Sequence, residues 1–171
     1  VFGLVGSEMC IRDRFIEEAK NDLPKMITVQ NSYSLLNRQY EVGNAEISMR
    51  ENIGLLAYSP LACGVLSGKY INGTDQPNSR LNLFKRFVRY SSDQSTEATR
   101  RYLNLAQQFD ISLTKMALAF VNQQPFVTSN IIGATTLSQL GENIESINVE
   151  LSSTLLAEIE KIHQEIPDPS T

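Results

Sequence analysis

Apolar residues occur along this chain in two patterns, short continuous runs and stripes that recur with the period of a helix. Short apolar or β-branched runs are typical of buried strands, whereas helical stripes indicate amphipathic helices. Three runs predict strands at Met26–Gln30, Leu55–Tyr58 and Asn130–Gly133. Because helical stripes separate these runs, the sequence predicts an α/β fold in which parallel strands are joined by right-handed crossovers.

Helical stripes and capping residues locate the predicted helices. Phe15–Asn21 fits the last turns of a helix, because Pro24 disfavours helical conformation in the residue before it. Thr136 is placed to cap one helix, and Ser152 or Ser153 is placed to cap the closing helix. One further predicted helix contains Val42, Ala45, Ile47 and Met49 and ends near Asn52. Two more span Thr96–Phe109 and run from Leu113 through Val121 to a stop near Pro125. The helix that Thr136 caps covers Leu137–Glu145, and the closing helix carries the stripe Leu155, Leu156, Ile159 and Ile162.

Two segments interrupt this alternation. Val1–Arg14 has no helical periodicity and sets alternating charges against an apolar start. It is interpreted either as a frayed terminus or as non-native sequence ahead of a domain at residues 15–171. Ile71–Ser95 is long and polar, and loops of this length in compact domains are usually functional or disordered. It carries the basic residues Arg80, Lys85, Arg86 and Arg89.

The stretch Leu55–Tyr70, LLAYSPLACGVLSGKY, predicts a binding site for a dinucleotide. A strand leads through Ser59 and Pro60 into a loop of small residues, which let backbone amides approach a ligand closely, and Lys69 behind them suits phosphate. No strand is followed by a G-x-G-x-x-G turn, so a Rossmann fold lacks its fingerprint. The pattern instead favours the strand-end phosphate site of a TIM-type barrel, with Thr135–Leu137 as a second phosphate-binding segment.

Composition restricts the partners of the chain. Its 171 residues carry a formal net charge of −4 with a pI ≈ 5.1, which argues against nucleic acid or an anionic membrane as the main partner. With only Cys10 and Cys63, a reducing cytoplasm is favoured over a disulfide framework. No apolar run approaches the roughly 20 residues of a transmembrane helix, and no metal ligands are predicted.

Three motifs together resemble one family. They are Gln30-Asn31 with Tyr33 and Leu35-Leu36-Asn37-Arg38, then AYSPLACGVLSGKY, then IIGATTLSQLGENIES ending at Ser146. In order and spacing they resemble the C-terminal half of the aldo-keto reductases, over about Leu23–His163. The branch resembled is the Tas-type bacterial one, which is also similar to the β-subunits of voltage-gated potassium channels. The resemblance implies a (β/α)8 TIM barrel, here about three of its parallel strands with helices, that binds extended NADP(H) at the carboxyl ends of the strands.

The resemblance implies roles at the nicotinamide and pyrophosphate. Gln30 matches the glutamine that hydrogen-bonds the nicotinamide carboxamide, and Tyr58 matches the aromatic residue that stacks on the nicotinamide ring. Without the resemblance, Gln30 reads as a solvated strand end and Tyr58 as a core tyrosine. The residues that match the segment around the pyrophosphate are Ser59, Pro60, Leu61 and Cys63, and those that match the nearby cations are Lys69 and Arg80.

The adenosine end of the cofactor is likewise assigned by resemblance. Gly133 and Thr135 match the loop that receives the 2′-phosphate, where the start of a helix favours an anion. Asn143 matches the adenine contact, and Gln139, Glu142 and Asn143 are predicted to share one helix face. The alternative interpretation of these three residues is a polar face turned to solvent.

The residues that carry hydride-transfer chemistry in the family have no match in this chain. The aspartate, tyrosine, lysine and histidine motifs of the earlier strands are missing, and so is the Ser-Asn pair before Gln30. The single histidine, His163, is predicted to be a surface residue. We therefore expect no catalytic residue here and interpret the chain as a truncated, inactive, cofactor-binding half of an NADPH-dependent reductase of small carbonyl compounds.

Two other functions stay open at this point. One is an NADP(H)-binding regulatory subunit with little turnover, like the potassium-channel β-subunits, and the other is an α/β half-domain without a ligand. Substrate identity and oligomeric state are not predicted. Unpaired edges of an incomplete barrel favour association between chains.

Overall fold

A computed structural model describes residues 26–71, 79–83 and 89–170, together with residues 13, 16, 17, 20 and 21. Most of Val1–Arg14 lies outside the described residues, as do Phe15, Glu18 and Ala19 of the predicted Phe15–Asn21 helix and the basic residues Lys85 and Arg86. The elements are β1 (Thr28–Ser32), α1 (Asn44–Glu51), β2 (Gly54–Tyr58), α2 (Arg80–Leu83), α3 (Asp93–Gln108), α4 (Leu113–Asn122), β3 (Val127–Ile131), α5 (Leu137–Glu145) and α6 (Ser153–Glu165), with short 3₁₀ helices at Gln39–Glu41, Ala62–Ser67 and Ser146–Asn148.

The three strands form one parallel sheet in the order β1-β2-β3. In the central strand, Leu55 and Ala57 are fully buried in the apolar core, whereas the alternate residues Leu56 and Tyr58 are only half-buried. Successive side chains of a strand point to opposite faces. One face of the sheet is therefore covered by the core and helices, and the described residues leave the other face largely uncovered. This α/β arrangement, with three parallel strands and their helices, is consistent with part of a barrel.

The predicted types of element are confirmed, but two strands are displaced. β1 runs to Ser32, so the prediction that it ends at Gln30 is wrong. β3 is Val127–Ile131 rather than Asn130–Gly133. Its middle residues are polar, and Ser129 and Asn130 pair with Leu56 and Ala57 of β2 through their backbone groups. An apolar run was therefore a poor guide to where this strand begins.

Helix starts also differ from the prediction. α1 begins at Asn44 rather than near Val42, because Gly43 adopts a positive φ of 86° immediately before it. α3 begins at Asp93 rather than Thr96, because Ser92 caps it by accepting a hydrogen bond from the Ser95 amide at 3.1 Å. The predicted loop Ile71–Ser95 therefore contains α2 and the first turn of α3.

The predicted caps of the last two helices are confirmed. Thr136 Oγ1 accepts from the Gln139 amide, and Ser152 Oγ accepts from the Leu155 amide, both at 3.2 Å. A side chain at this position satisfies an amide that the helix leaves without a partner, which stabilises a helix by about 1 kcal/mol. The cap at Thr136 also fixes where the loop after β3 ends.

His163 is half-buried on α6 and not the surface residue that the sequence predicted. Its Nδ1 is buried and has no hydrogen-bond partner. α6 packs along α3, and helix packing of this kind is not visible in the sequence around His163.

An ion-pair cluster around the buried Arg38 joins the loop after β1 to the closing helix. The Arg38 side chain, 9% exposed, places Nε 2.7 Å from Glu41 Oε1 and Nη1 2.9 Å from Glu160 Oε2. The buried Tyr33 hydroxyl donates to Glu41 Oε1 at 2.5 Å. Burial, followed by the nearby Glu41 charge, raises the pKa of Tyr33. A buried charge persists only when it is paired, so this cluster determines how the loop and α6 meet.

The C-terminal residues lie across the same loop. The Arg38 amide donates to Asp168 Oδ1 at 2.5 Å, and the Ser170 amide donates to the Leu36 carbonyl at 3.1 Å. Ser95 Oγ, at the start of α3, donates to the Pro169 carbonyl at 2.8 Å. Residues 168–170 therefore connect the loop after β1 to α3.

Replacing Arg38 tests whether the ion-pair cluster stabilises the fold. We expect Arg38→Met to lower the free energy of unfolding by about 2–3 kcal/mol, because it leaves Glu41 charged beside a buried hydroxyl. Urea denaturation of the full chain measures this change. The control is Arg50→Met, because Arg50 forms a 2.6 Å pair with Glu46 at 76% exposure and should cost under about 0.5 kcal/mol. An equal loss of unfolding free energy in the two variants would contradict a stabilising role for the Arg38 cluster.

Candidate functional site

Three loops leave the sheet at one edge. The parallel register sets Ser32, Tyr58 and Ile131 side by side at the carboxyl ends of the strands. The loop after β1, the loop Ser59–Lys69 after β2 and the loop 132–136 after β3 therefore start from neighbouring positions. In α/β folds this edge is where ligands bind.

Gln30 and Tyr58 lie on the uncovered face of the sheet near this edge. Gln30 pairs with Leu56, two residues before Tyr58 on the next strand, so the two side chains are diagonal neighbours on one face. Gln30 is exposed and Tyr58 is half-buried. A carboxamide can both donate and accept hydrogen bonds, and an aromatic ring can stack. Together they suit a flat ring that carries polar groups.

The loop after β2 has an unusual backbone. Ser59, Ala62 and Cys63 adopt φ values of 57°, 47° and 57°, and Gly64 adopts 91°. For residues other than glycine, this left-handed conformation costs roughly 1–2 kcal/mol per residue. The Ala62 amide bonds to the Ser59 carbonyl at 2.9 Å, and the Gly64 amide bonds to the Leu61 carbonyl at 2.8 Å. The surrounding structure thus holds a tight, strained turn, a feature that clusters at functional sites.

Lys69 folds back over this turn. A Cβ placed on Gly64 would lie 3.0 Å from Lys69 Nζ, so the glycine leaves room for the ammonium group. Lys69 Nζ also lies 5.1 Å from the centroid of the Tyr70 ring. Arg80, the second predicted cation, is exposed at the first position of α2. The turn therefore combines small residues, whose backbone amides a ligand can approach, with a positive charge. This combination suits phosphate.

The loop after β3 is held by two side chains of α5. Gln139 Oε1 accepts from the Thr135 amide at 3.0 Å and from Thr135 Oγ1 at 2.9 Å. Asn143, only 5% exposed, donates from Nδ2 to the Gly133 carbonyl at 3.4 Å. Gly133 and Thr135 themselves are exposed. The structure thus brings together four predicted site residues at the start of a helix, where an anion is favoured.

Glu142 does not converge with these residues. Its Oε1 accepts from Ser112 Oγ at 2.6 Å, toward α4, whereas Gln139 and Asn143 turn toward the loop. It lines a groove of ≈ 730 Å³ between α4 and α5, together with Lys115 and Glu145. Lys115 Nζ lies 2.7 Å from Glu145 Oε2, and this hydrogen bond lowers the pKa of Glu145. The groove is separate from the strand ends and shares only Glu142 with the predicted site.

The sequence interpretation assigned no role to the residues that support the loop after β1. The spacing of Arg38 and Glu41, three residues apart, was an available signal for an ion pair. Glu160 lies 122 residues further along the chain, and no local pattern connects it to Arg38.

The part of the chain that the structure describes contains neither a candidate metal site nor a candidate membrane-spanning helix. No group of three or more His, Cys, Asp or Glu residues there is arranged to hold a metal ion. None of the described helices combines the length and apolar character that crossing a membrane requires.

Parallel strands, helices on one sheet face and a strained cationic turn at the strand ends define an α/β protein whose strand-end loops meet at one edge. The chain belongs to the aldo/keto reductase family, whose sequence model matches residues 14–164. That match covers all three strands and extends to the closing helix.

Curated relatives agree with this membership. The chain is 52% identical over 145 residues to Protein tas of Escherichia coli, and the alignment covers 85% of this chain and 42% of that protein. It is 38% identical to L-glyceraldehyde 3-phosphate reductase of Escherichia coli, with 81% and 41% covered. It is 31% identical to a probable voltage-gated potassium channel subunit beta of Oryza sativa, with 85% and 46% covered. The chain therefore spans less than half the length of these relatives.

Replacing Gly64 tests the strained turn. We expect Gly64→Ala to lower the free energy of unfolding by about 1–2 kcal/mol, because alanine resists a positive φ and its Cβ meets Lys69. Gly141→Ala is the matched control, because nothing lies within 4 Å of its Cβ position inside α5. Helix propensity should make that variant more stable by about 0.5–1 kcal/mol. Chemical denaturation measures the stability of both variants. A Gly64→Ala chain as stable as the parent would contradict the strained conformation at Gly64.

Proposed function

We propose that this chain is the NADP(H)-binding part of an NADPH-dependent aldo-keto reductase that reduces aldehydes or ketones to alcohols. The observation that carries the proposal is the placement of Gln30 and Tyr58 as neighbours on the uncovered sheet face, beside the turn that holds Lys69. The whole protein would complete a (β/α)8 barrel in the cytoplasm. A relative named L-glyceraldehyde 3-phosphate reductase supports a small carbonyl substrate.

The residues at the strand ends fit the nicotinamide and pyrophosphate of this cofactor. When bound, NADPH supplies the hydride. Gln30 would hold the carboxamide, and Tyr58 would stack on the ring so that one face stays open to the substrate. The small residues of the turn after β2 would let backbone amides approach the pyrophosphate, while Lys69 would offset its charge.

The start of α5 fits the adenosine end. Thr135 lies next to the N-terminus of a helix, which suits the 2′-phosphate that distinguishes NADPH from NADH. Its amide and hydroxyl, which donate to Gln139 in this structure, would turn to the phosphate when the cofactor binds. Asn143 lies against the Gly133 carbonyl and would present its carboxamide to adenine. The link from Gln139 to Thr135 keeps the loop in place before a ligand arrives.

Proton transfer would come from residues outside this chain. Tyr33, Tyr40 and Tyr102 are each at most 3% exposed, and burial raises the pKa of all three. A general acid works best when its pKa lies near the operating pH and its proton can reach the substrate. These tyrosines meet neither condition.

Cofactor titration tests the binding role. Following NADPH and NADH fluorescence with the purified chain, we expect NADPH to bind at least about tenfold more tightly, since charge-assisted contacts to the 2′-phosphate each add about 1.5–3 kcal/mol. Thr135→Val should reduce the preference for NADPH over NADH. Thr154→Val, which removes an exposed hydroxyl from α6, should leave that preference unchanged. Equal affinity for both cofactors, or no binding by a folded sample, would contradict the proposal.

The purified chain should not turn over an aldehyde. We expect no oxidation of NADPH with 4-nitrobenzaldehyde above the rate without protein, because the acid and base groups of the family have no match here. The assay follows NADPH absorbance at saturating aldehyde. Measurable turnover that depends on chain concentration would overturn this expectation.

A second candidate function is supported by the potassium channel relatives. The chain is 31% identical to one from Oryza sativa and 32% identical to one from Arabidopsis thaliana. In that case the whole protein would bind NADP(H) as a regulatory subunit with little turnover. Comparing the activity of the whole protein with and without a membrane partner separates the two functions.

A further inference from the structure

A chain of hydrogen bonds runs behind the loop after β3. Asn130 of β3 donates from Nδ2 to Asn122 Oδ1, at the end of α4, at 3.0 Å. Asn122 donates from Nδ2 to Ser146 Oγ at 3.4 Å, and Ser146 Oγ donates to the Asn143 carbonyl at 2.6 Å. Ser146 is 2% exposed. These four residues, named here the relay, connect β3, α4 and the end of α5.

The direction of the relay is determined by its last acceptor. A backbone carbonyl can only accept, so Ser146 must donate its single proton to Asn143. Ser146 Oγ then accepts from the amide nitrogen of Asn122, which turns the Asn122 oxygen toward Asn130. The remaining oxygen, Asn130 Oδ1, is buried without a partner. Reversing any one amide would place two donors or two acceptors together, so the relay holds one arrangement.

The relay bears on the loop because α5 is what holds that loop. Gly133, Thr135 and Thr136 are exposed, and the side chains that bond to the loop are Gln139 and Asn143 of α5. The relay attaches α5 through the carbonyl of Asn143, the same residue whose side chain bonds to Gly133. A shift of Asn143 would therefore move the loop contact with it.

We propose that Asn122 and Ser146 are positioning residues for the adenosine end of the cofactor. Neither is assigned to touch the ligand, and both act through Asn143. The proposal rests on the proposed function for its ligand. It predicts that breaking the relay weakens binding of the adenosine part and loosens the loop, while the nicotinamide end keeps its affinity.

The test compares two substitutions at the end of α4. Asn122→Asp keeps an oxygen for Asn130 but loses the donor to Ser146. Gln124→Glu introduces the same charge nearby and loses a donor to the Phe120 carbonyl, a bond of 3.0 Å that does not involve α5. Ser146→Ala breaks the relay at a second point without adding charge. The measurements on the full chain are hydrogen exchange of residues 132–139 and calorimetric binding of 2′,5′-ADP and of reduced nicotinamide mononucleotide.

We expect Asn122→Asp and Ser146→Ala to speed exchange in residues 132–139 and to weaken 2′,5′-ADP binding, each by about fivefold, the worth of roughly one hydrogen bond. Gln124→Glu should change neither, and mononucleotide affinity should stay the same in all variants. Unchanged exchange in both relay variants would overturn the proposal, and so would equal weakening of both ligands. If the parent chain binds no 2′,5′-ADP, the proposed function fails, and the exchange data still decide whether the relay positions the loop.

Discussion

Every feature of the candidate site depends on β2 pairing in parallel with a strand on each side. That pairing buries Leu55 and Ala57 completely on one face, which contributes roughly 1.5–3 kcal/mol for the leucine alone. It also turns Leu56 and Tyr58 to the other face and brings three strand ends to one edge. A shift of one residue in this register would bury Tyr58 and expose Leu55, and the site would be lost.

Two partly buried polar clusters then hold the loops at this edge of the sheet. The Arg38 cluster secures the loop after β1 against α6, and the relay of Asn130, Asn122, Ser146 and Asn143 secures α5 behind the loop after β3. Neither group needs to add much net stability, because burying polar atoms costs about as much as pairing them returns. Their effect is to make one arrangement of the loops preferable to others, since an unpaired buried group costs about 1–3 kcal/mol. Loops that are already ordered lose little conformational entropy when a ligand binds.

Local signals in the sequence predicted part of this structure well. β2 reads as a short apolar run, and Thr136 and Ser152 read as caps, because both effects act between residues close in sequence. β3 was misplaced because Ser129 and Asn130 join the sheet through backbone pairing, which their polar side chains do not indicate. The contact of Arg38 with Glu160, the partly buried His163 and the turn of Glu142 toward Ser112 depend on how helices pack. The resemblance supplied the site residues, and only the structure could place Gln30 beside Tyr58 or separate Glu142 from Asn143.

The most direct test is hydrogen exchange of the full chain with and without NADPH. If the strand-end edge holds an extended dinucleotide, NADPH should protect residues 59–69 and 133–143 together and should slow exchange around Gln30. The groove residues Asp110–Lys115 should stay unaffected. Protection confined to that groove, or no protection of the strand-end loops at saturating NADPH, would contradict the account.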